Sequence, residues 1–228
     1  MEQFIQTDLG KKCLHELLNT WLDFDKNLSK VPIIKRLETG KLSQEDYREL
    51  LLNMRQQVIE GSRWISRSAS SFDRHYSDVR SAVIHHAYDE HQDYLMIEQD
   101  YVAAGGLLSE IQTGTKNIGS EALHGYLMYT ASLPNPVSLI GAMWIIEGLG
   151  NKMSLKWAKL INEYFDPPST ITRFLEYHGQ NDADHLKELY QLIDRVASSE
   201  EQIDAIVKTA KVVGRLYCLQ LEEVDNNE

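Results

Sequence analysis

The sequence predicts an all-α fold, a bundle of about seven helices in a single domain over residues 1–228. Apolar residues recur at spacings of three and four, as Tyr47, Leu51 and Met54 do, which is the period of a helix with one buried face. No segment shows the sustained alternation of β-branched and polar residues that is typical of strands. Only 5 prolines interrupt the chain, so long segments are free to be helical.

Capping and breaking residues set the boundaries of the first three helices. The first helix covers about 3–29 and ends before Pro32. The second begins at Ser43, whose hydroxyl can cap the first free amides together with Asp46, three residues further on. The third covers about 76–104 and ends at Gly105-Gly106, a pair suited to a left-handed C-terminal cap.

Four further helices follow in the second half of the chain, over about 119–132, 136–164, 169–197 and 199–223. Asn135 and Pro136 are expected to act as N-cap and first residue of the fifth helix. The two prolines after Asp166 separate the fifth from the sixth. Ser199 is expected to cap the seventh, and the tail 224–228 is expected to be disordered.

The composition excludes several classes of function. There are 34 acidic and 23 basic residues, a formal net charge of −11, which argues against nucleic-acid binding because phosphate contacts need basic residues. Two cysteines, Cys13 and Cys218, provide no disulfide framework and predict a reducing, cytoplasmic location. No signal peptide and no apolar run long enough to span a membrane is evident.

The sixth helix carries the strongest candidate for a metal site. His178, Asp182 and His185 stand at positions i, i+4 and i+7, so two imidazoles and a carboxylate share one helical face. Chance placement gives this pattern roughly 0.04 times in such a chain. Imidazole with carboxylate suits Fe, Mn or Zn better than Ca or Mg. The alternative is a polar outer stripe on a surface helix.

The third helix repeats this spacing with one histidine and two acids, His86, Glu90 and Asp93. This pattern is expected roughly 0.2 times by chance and is weak when taken alone. His91 points elsewhere on the helix, toward solvent or toward the edge of a site.

Glu147 is the single charged residue between Asn135 and Lys152, in a helix that is apolar on every side. A buried carboxylate must be paired, protonated or bound to a metal, since isolation in an apolar interior is too costly. A structural arginine could pair with it, but helix bundles also build metal sites from inward carboxylates and histidines on facing helices.

The second helix holds Glu60 among several arginines, including Arg63. An ion pair is the favoured reading of Glu60, with metal ligation as the alternative. The arginines either line a solvated face or recognise an anionic group of a substrate.

The segment from Val31 to Tyr47 resembles the opening motif of haem-oxygenase-like helical proteins, a group that includes TenA-like thiaminases, PqqC-like oxidases, CADD-like proteins and di-metal oxidases. The resemblance extends from about 12 to 220 through the order and spacing of the helices. In the metal-dependent branch it implies a carboxylate and a histidine on the third helix, a glutamate on the fifth, and His-x3-Asp-x2-His on the sixth.

This sequence matches the implied ligands on the fifth and sixth helices and departs from them on the third. His86 and Asp93 stand at the positions where the family pattern has glutamate and histidine, with Glu90 between them. The TenA-like branch is disfavoured because its cysteine nucleophile lies mid-chain, and the haem-binding branch because carboxylates would lie where a porphyrin belongs.

The resulting hypothesis is a non-haem iron oxidase or oxygenase, with one or two Fe ions (Mn or Zn as alternatives), acting with O₂ on a small amine, amino acid or fatty acid. One of the three acids and histidines of the third helix is expected to lie beside the metal rather than on it. The resemblance also implies a homodimer. The alternatives are a metal-free enzyme or small-molecule-binding protein of the same fold, and a non-catalytic helical module.

The candidate ligands are His86, Glu90, Asp93, Glu147, His178, Asp182 and His185, and the candidates for supporting or substrate contacts are Glu60, Arg63, His91 and Tyr177.

Overall fold

A computed structural model describes residues 4–167 and 169–225, without the side chains of residues 183 and 184, and this part of the chain forms ten α-helices and no strand. The helices are α1 (Asp8–Leu28), α2 (Pro32–Glu38), α3 (Gln44–Ser71), α4 (Ser77–Glu90), α5 (Tyr94–Ala103), α6 (Leu108–Thr113), α7 (Ile118–Ala131), α8 (Leu139–Phe165), α9 (Arg173–Val196) and α10 (Glu200–Glu222). The predicted all-α class is confirmed. None of the described helices is long and apolar enough to cross a bilayer.

Several predicted helix ends are confirmed by their hydrogen bonds. Ser43 Oγ accepts from the Asp46 amide at 3.0 Å, and the Asp46 carboxylate accepts from the Ser43 amide at 2.8 Å, which completes the capping box. Ser199 Oγ accepts from the Gln202 amide at 3.3 Å at the start of α10. Gly105 has the left-handed φ of +88° expected of a glycine that ends a helix.

The helix count exceeds seven because the predicted third helix is interrupted and two short helices were not foreseen. Residues 91–93 form turns between α4 and α5, a break that no glycine or proline announces in the sequence. The short helices are α2, which has Pro32 at its first position, and α6.

The predicted N-cap role of Asn135 is wrong. Helix α8 begins at Leu139, and Asn135 takes a left-handed φ of 48° before it. Its side-chain amide donates to Asp73 Oδ2 at 2.8 Å, and its side-chain oxygen accepts from the Asp73 amide at 2.9 Å. Asparagine tolerates the left-handed region, so these bonds tie the α7–α8 connection to the end of α3.

The C-terminal segment is more ordered than predicted as far as it is described. Glu223–Asp225 forms a 3₁₀ turn, Val224 is buried, and the Asp225 carboxylate pairs with Arg36. The rest of the predicted disordered tail, 226–228, lies outside the described residues, as does residue 3, the predicted start of the first helix.

Helix α8 lies at the centre of the bundle and packs most extensively against α9 and α10. It contributes Trp144 and Trp157 to the core, and Trp144 contacts Trp21 of α1 edge to face with ring centroids 6.3 Å apart. Helix α4 packs against α3 and α9. This arrangement brings one face each of α4, α8 and α9 together inside the bundle.

The start of α9 is anchored by Asp100, a fully buried residue of α5. Its carboxylate accepts from the Phe174 amide and from Arg173 Nη1, each at 3.0 Å. One of the free amides of the first turn of α9 is thereby satisfied by a side chain from another helix. The contact fixes the helix that carries His178 and His185.

We expect Asp100→Ala to lower the free energy of unfolding by about 2–4 kcal/mol, because a buried amide and a guanidinium lose their shared acceptor. Urea denaturation monitored by circular dichroism measures the change. Asp78→Ala is the control, since Asp78 forms an exposed ion pair with Arg195 and such pairs contribute little. Equal losses for the two variants would show that Asp100 has no anchoring role.

Candidate metal centre

The candidate ligands lie on the inner faces of three helices and in the turn that follows α4. His86 and Glu90 lie on α4, Asp93 in the turn, and Glu147 on α8; the other three, His178, Asp182 and His185, lie on α9. All seven are buried or nearly so. The alternative of a solvated polar stripe on α9 therefore does not hold for its three candidate residues.

The first cluster consists of His86, Glu147 and His185, whose ligand atoms lie within 4.8 Å of one another. Glu147 lies between the two histidines, with Oε1 3.2 Å from His86 Nε2 and Oε2 3.2 Å from His185 Nδ1. The two imidazole rings meet edge to face at 5.0 Å. Two histidines and one carboxylate are the donor set typical of non-haem Fe(II) sites.

The second cluster consists of Glu90, Asp93 and His178, again with ligand atoms within 4.8 Å. His178 Nε2 lies 3.3 Å from Asp93 Oδ2. The two clusters are neighbours, since Glu90 Oε1 lies 3.7 Å from His185 Nδ1 of the first. The candidate ligands other than Asp182 therefore form two adjacent clusters.

Asp182 belongs to neither cluster and instead supports His178. Its Oδ1 lies 3.1 Å from His178 Nδ1, so the nitrogen facing the second cluster is Nε2. A carboxylate bonded to the other nitrogen of a histidine fixes the orientation of its ring. That one of His86, Glu90 and Asp93 lies beside the metal stays a prediction; all three belong to the clusters, whereas Asp182 does not.

Gly150 of α8 makes room for the Asp182 carboxylate. A Cβ atom at position 150 would lie 1.7 Å from Asp182 Oδ2. Gly179 of α9 allows a similar close approach, because its Cβ would lie 2.4 Å from Leu155 Cγ and 3.0 Å from the Leu155 backbone nitrogen. The two helices thus meet almost backbone to backbone beside the clusters.

The pKa values within the clusters reflect shared charge. Burial raises the pKa of Glu90 to about 7, and the neighbouring Glu147 carboxylate adds to the rise. Burial also opposes ionisation of Glu147, but bonds from His185 and His86 outweigh it and lower the pKa of Glu147 to about 2. The hydrogen bond between His185 and Glu147 raises the pKa of the His185 imidazole to about 9. A cation bound here would take the place of protons held by the histidines.

Three buried atoms of the second cluster form no hydrogen bond of good geometry with a described residue, although two of them, Asp93 Oδ2 and His178 Nε2, lie 3.3 Å apart; the third is Glu90 Oε1. Buried polar atoms without partners are costly and rare. A divalent cation between them would satisfy all three at once. The donor types and these unpaired atoms together fit a transition metal such as iron.

The remaining candidates are placed differently from the ligands. Glu60 forms ion pairs with Lys116 at 2.9 Å and with Arg63 at 2.7 Å, as the sequence analysis favoured. The Arg63 side chain is 65 % exposed. His91 is exposed, with Nδ1 2.6 Å from the Tyr88 carbonyl oxygen. Only Tyr177 lies beside the centre, its ring packed edge to face on His178 at 5.4 Å.

Sequence reasoning missed three residues next to the clusters. Asp89 Oδ2 lies 3.8 Å from His185 Nε2, and the Phe174 ring lies 4.3 Å from that of His178. Phe174 stands four residues before His178, a spacing that places both on one helical face and could have identified it. The role of Gly150 depends on how α8 packs on α9 and has no signal in the sequence.

Solved structures of proteins with the haem-oxygenase-like fold are similar to this chain throughout its length. A domain of unknown function with a haem-oxygenase-like fold from Shewanella denitrificans has a TM-score of 0.85 at 20% identity, covering 95% of this chain and 91% of that one. A TenA homologue from Pseudomonas syringae pv. tomato has a TM-score of 0.79 at 15% identity, covering 94% and 93%.

Haem oxygenase-1 from the cyanobacterium Synechocystis in complex with haem has a TM-score of 0.71 at 16% identity, covering 97% of this chain and 94% of that one. These likenesses confirm the fold that the opening motif implied. No curated protein sequence is significantly similar. The sequence model of a protein family described as iron-containing redox enzymes matches residues 48–217.

Proposed function

This chain belongs to the haem-oxygenase-like family of iron-containing redox enzymes, and from that premise we propose that it is a non-haem iron oxidase or oxygenase with two iron sites. It acts with O₂ on a small molecule held in the bundle core. The observation that carries the proposal is the pair of adjacent carboxylate–histidine clusters, one of which has three buried atoms that form no hydrogen bond of good geometry.

Each cluster has a distinct part in this proposal. His86, Glu147 and His185 would hold one iron, and Glu90, Asp93 and His178 the other. Iron, when bound, supplies O₂ binding and electron transfer at the coordination positions that the protein leaves free. Asp182 keeps His178 in orientation, and the rings of Phe174 and Tyr177 pack against the ring of His178.

A cysteine-dependent reaction like that implied for the TenA-like branch has less support. Cys13 and Cys218 are both buried, and burial raises the pKa of each thiol to about 12. A thiol of this kind is protonated at neutral pH and is a poor nucleophile. The fold alone is compatible with a metal-free enzyme, but these thiols do not provide its nucleophile.

Anaerobic titration of chelator-treated protein with Fe(II) tests the proposal. We expect two equivalents to bind, and saturating iron at 100 times its dissociation constant to raise the free energy of unfolding by about 2.7 kcal/mol per site. The double variant Glu147→Ala with His178→Ala should bind neither equivalent. His91→Ala is the matched control, an exposed histidine close in sequence that belongs to neither cluster.

Iron binding that is weak and equal in the parent, the double variant and His91→Ala would contradict the proposal. That result would favour the alternative hypothesis, a metal-free enzyme or small-molecule-binding protein of the same fold. Consumption of O₂ by the iron-loaded parent, measured with an oxygen electrode, then distinguishes a redox centre from a merely structural one.

A further inference from the structure

A small cavity of about 80 Å³ lies beside both clusters, between α3, α4, α8, α9 and α10. Residues of both clusters reach its wall: His86, Glu147, Glu90 and His178. Most of the remaining wall is apolar. A group bound in this cavity would therefore lie in an apolar environment next to the proposed iron sites.

One face of α3 forms a wall of this cavity. The residues of α3 that line it are Met54, Gln57, Val58, Gly61, Trp64 and Ile65. Position 61 has lining residues three and four positions away on both sides, and residues at those spacings share a helical face. A side chain at position 61 would therefore point into the cavity.

The packing of the helices does not require a glycine at position 61. Apart from its chain neighbours and its own helical backbone, no heavy atom lies within 4 Å of where a Cβ would be. At Gly141, by contrast, a Cβ would lie 2.2 Å from the Ile206 carbonyl oxygen. Glycine is the least favourable residue after proline in the interior of a helix. The effect of Gly61 is to leave this part of the cavity open.

The volume of the cavity limits what it can hold. An apolar cavity of roughly 150 Å³ holds one benzene molecule, so this one has room for an apolar group of about three carbon atoms. Met54 and Met143 line it, and methionine side chains adapt to the shape of a guest, so a slightly larger group can be accommodated. The imidazoles and carboxylates of the clusters offer partners to groups of either charge. The cavity therefore selects by size and apolarity.

From these observations we propose that Gly61 determines which substrates fit this protein, by keeping open a space beside the iron sites for one apolar group of about three or four carbon atoms. The identification of the guest as the substrate rests on the proposed function. The size limit itself does not depend on metal. A larger residue at position 61 would occupy the space, and the side chain of leucine is large enough to fill most of it.

Binding of straight-chain alcohols to chelator-treated protein, measured by ligand-observed NMR, tests the proposal. Ethanol, 1-propanol, 1-butanol and 1-hexanol differ only in their number of methylene groups. In the parent we expect the affinity to rise about fourfold per methylene group up to 1-propanol or 1-butanol, the effect of burying each group. We expect 1-hexanol to bind more weakly than the best alcohol of the series, because it exceeds the cavity.

Substitutions on this wall should move the preferred length in opposite directions. Gly61→Ala should shift the optimum to an alcohol about one carbon shorter, and Gly61→Leu should weaken the binding of 1-butanol roughly tenfold or more. Val58→Ala makes a side chain of the same wall smaller, so it should shift the optimum to an alcohol about one carbon longer.

Gly125→Leu is the matched control. Gly125 is an exposed glycine inside α7 that also has no such atom within 4 Å of its Cβ position. This variant should show the length preference of the parent. Circular dichroism should show that both leucine variants are folded, since leucine favours helix over glycine.

Three results would overturn the proposal: no binding of any alcohol to the parent, the same preferred length in the parent, Gly61→Ala and Val58→Ala, or equal 1-butanol affinity in Gly61→Leu and Gly125→Leu. Failure here is distinguishable from failure of the iron proposal because this assay contains no metal. A length preference that changes with residue 61, in protein that takes up no iron, would leave the size limit standing and remove the oxidase. Iron uptake with no dependence of binding on residue 61 would do the reverse.

Discussion

Replacing Glu147 with alanine is expected to abolish one of the two iron equivalents, with an affinity loss of more than 100-fold at the first cluster. The carboxylate lies 3.2 Å from both His86 and His185, so its removal leaves two histidines with no charge between them. Loss of residues that merely support a ligand already costs 10- to 100-fold, and loss of the ligand should cost more. Anaerobic Fe(II) titration followed by Mössbauer spectroscopy measures the number and type of sites that remain.

The second equivalent should persist in Glu147→Ala, because Glu90, Asp93 and His178 form a separate cluster. Glu60→Ala provides the control, since it also removes a buried glutamate of the bundle but one paired with Lys116 away from the clusters. Full retention of both equivalents in Glu147→Ala would remove Glu147 from the set of ligands.

Replacing Gly150 with alanine is expected to weaken the second iron equivalent by 10- to 100-fold and to destabilise the protein by about 1–3 kcal/mol. The new methyl group would lie 1.7 Å from Asp182 Oδ2. Asp182 must therefore move, and His178 loses the partner of its Nδ1. Calorimetric titration and urea denaturation measure the two effects separately.

A double variant separates crowding from the loss of the supporting carboxylate. Adding Asp182→Ala to Gly150→Ala removes the clash, so stability should recover while iron affinity at the second cluster stays low. If affinity returned together with stability, Asp182 would have no part in orienting His178. Gly125→Ala is the control, because Gly125 is an exposed glycine inside α7 with no protein atom within 4 Å of its Cβ position. It should leave iron affinity unchanged and raise the free energy of unfolding by up to about 1 kcal/mol, since alanine favours helix over glycine.

The periodicity of the sequence was sufficient to predict the all-α class, most of the long helices and the inward position of several site residues. Glu147 stood out as the one charge in an apolar helix, and the structure buries it at 4 % exposure. The spacing of His178 and His185 correctly placed both on one face of α9. It could not show that they serve different clusters, although seven residues along a helix span about 10 Å.

The remaining features depend on contacts between distant parts of the chain. The turn at 91–93, which carries Asp93 into the second cluster, contains no glycine or proline, so local sequence rules gave no warning of it. Asparagine is a common N-cap residue, but the side chain of Asn135 forms hydrogen bonds to Asp73 instead of capping α8. The contact between Asp182 and His178 follows from their spacing of four residues on α9. The sequence analysis interpreted that spacing as metal ligation by both residues.

The close approach of α8 and α9 at Gly150 and Gly179 has a consequence for how this protein can change over evolutionary time. A side chain at position 150 displaces the Asp182 carboxylate unless residue 182 becomes smaller, and either change gives up the support of His178. We therefore expect positions 150 and 182 to vary together among relatives of this chain, with glycine at 150 wherever an acid occupies 182. An alignment in which larger residues at 150 accompany aspartate at 182 would contradict this dependence.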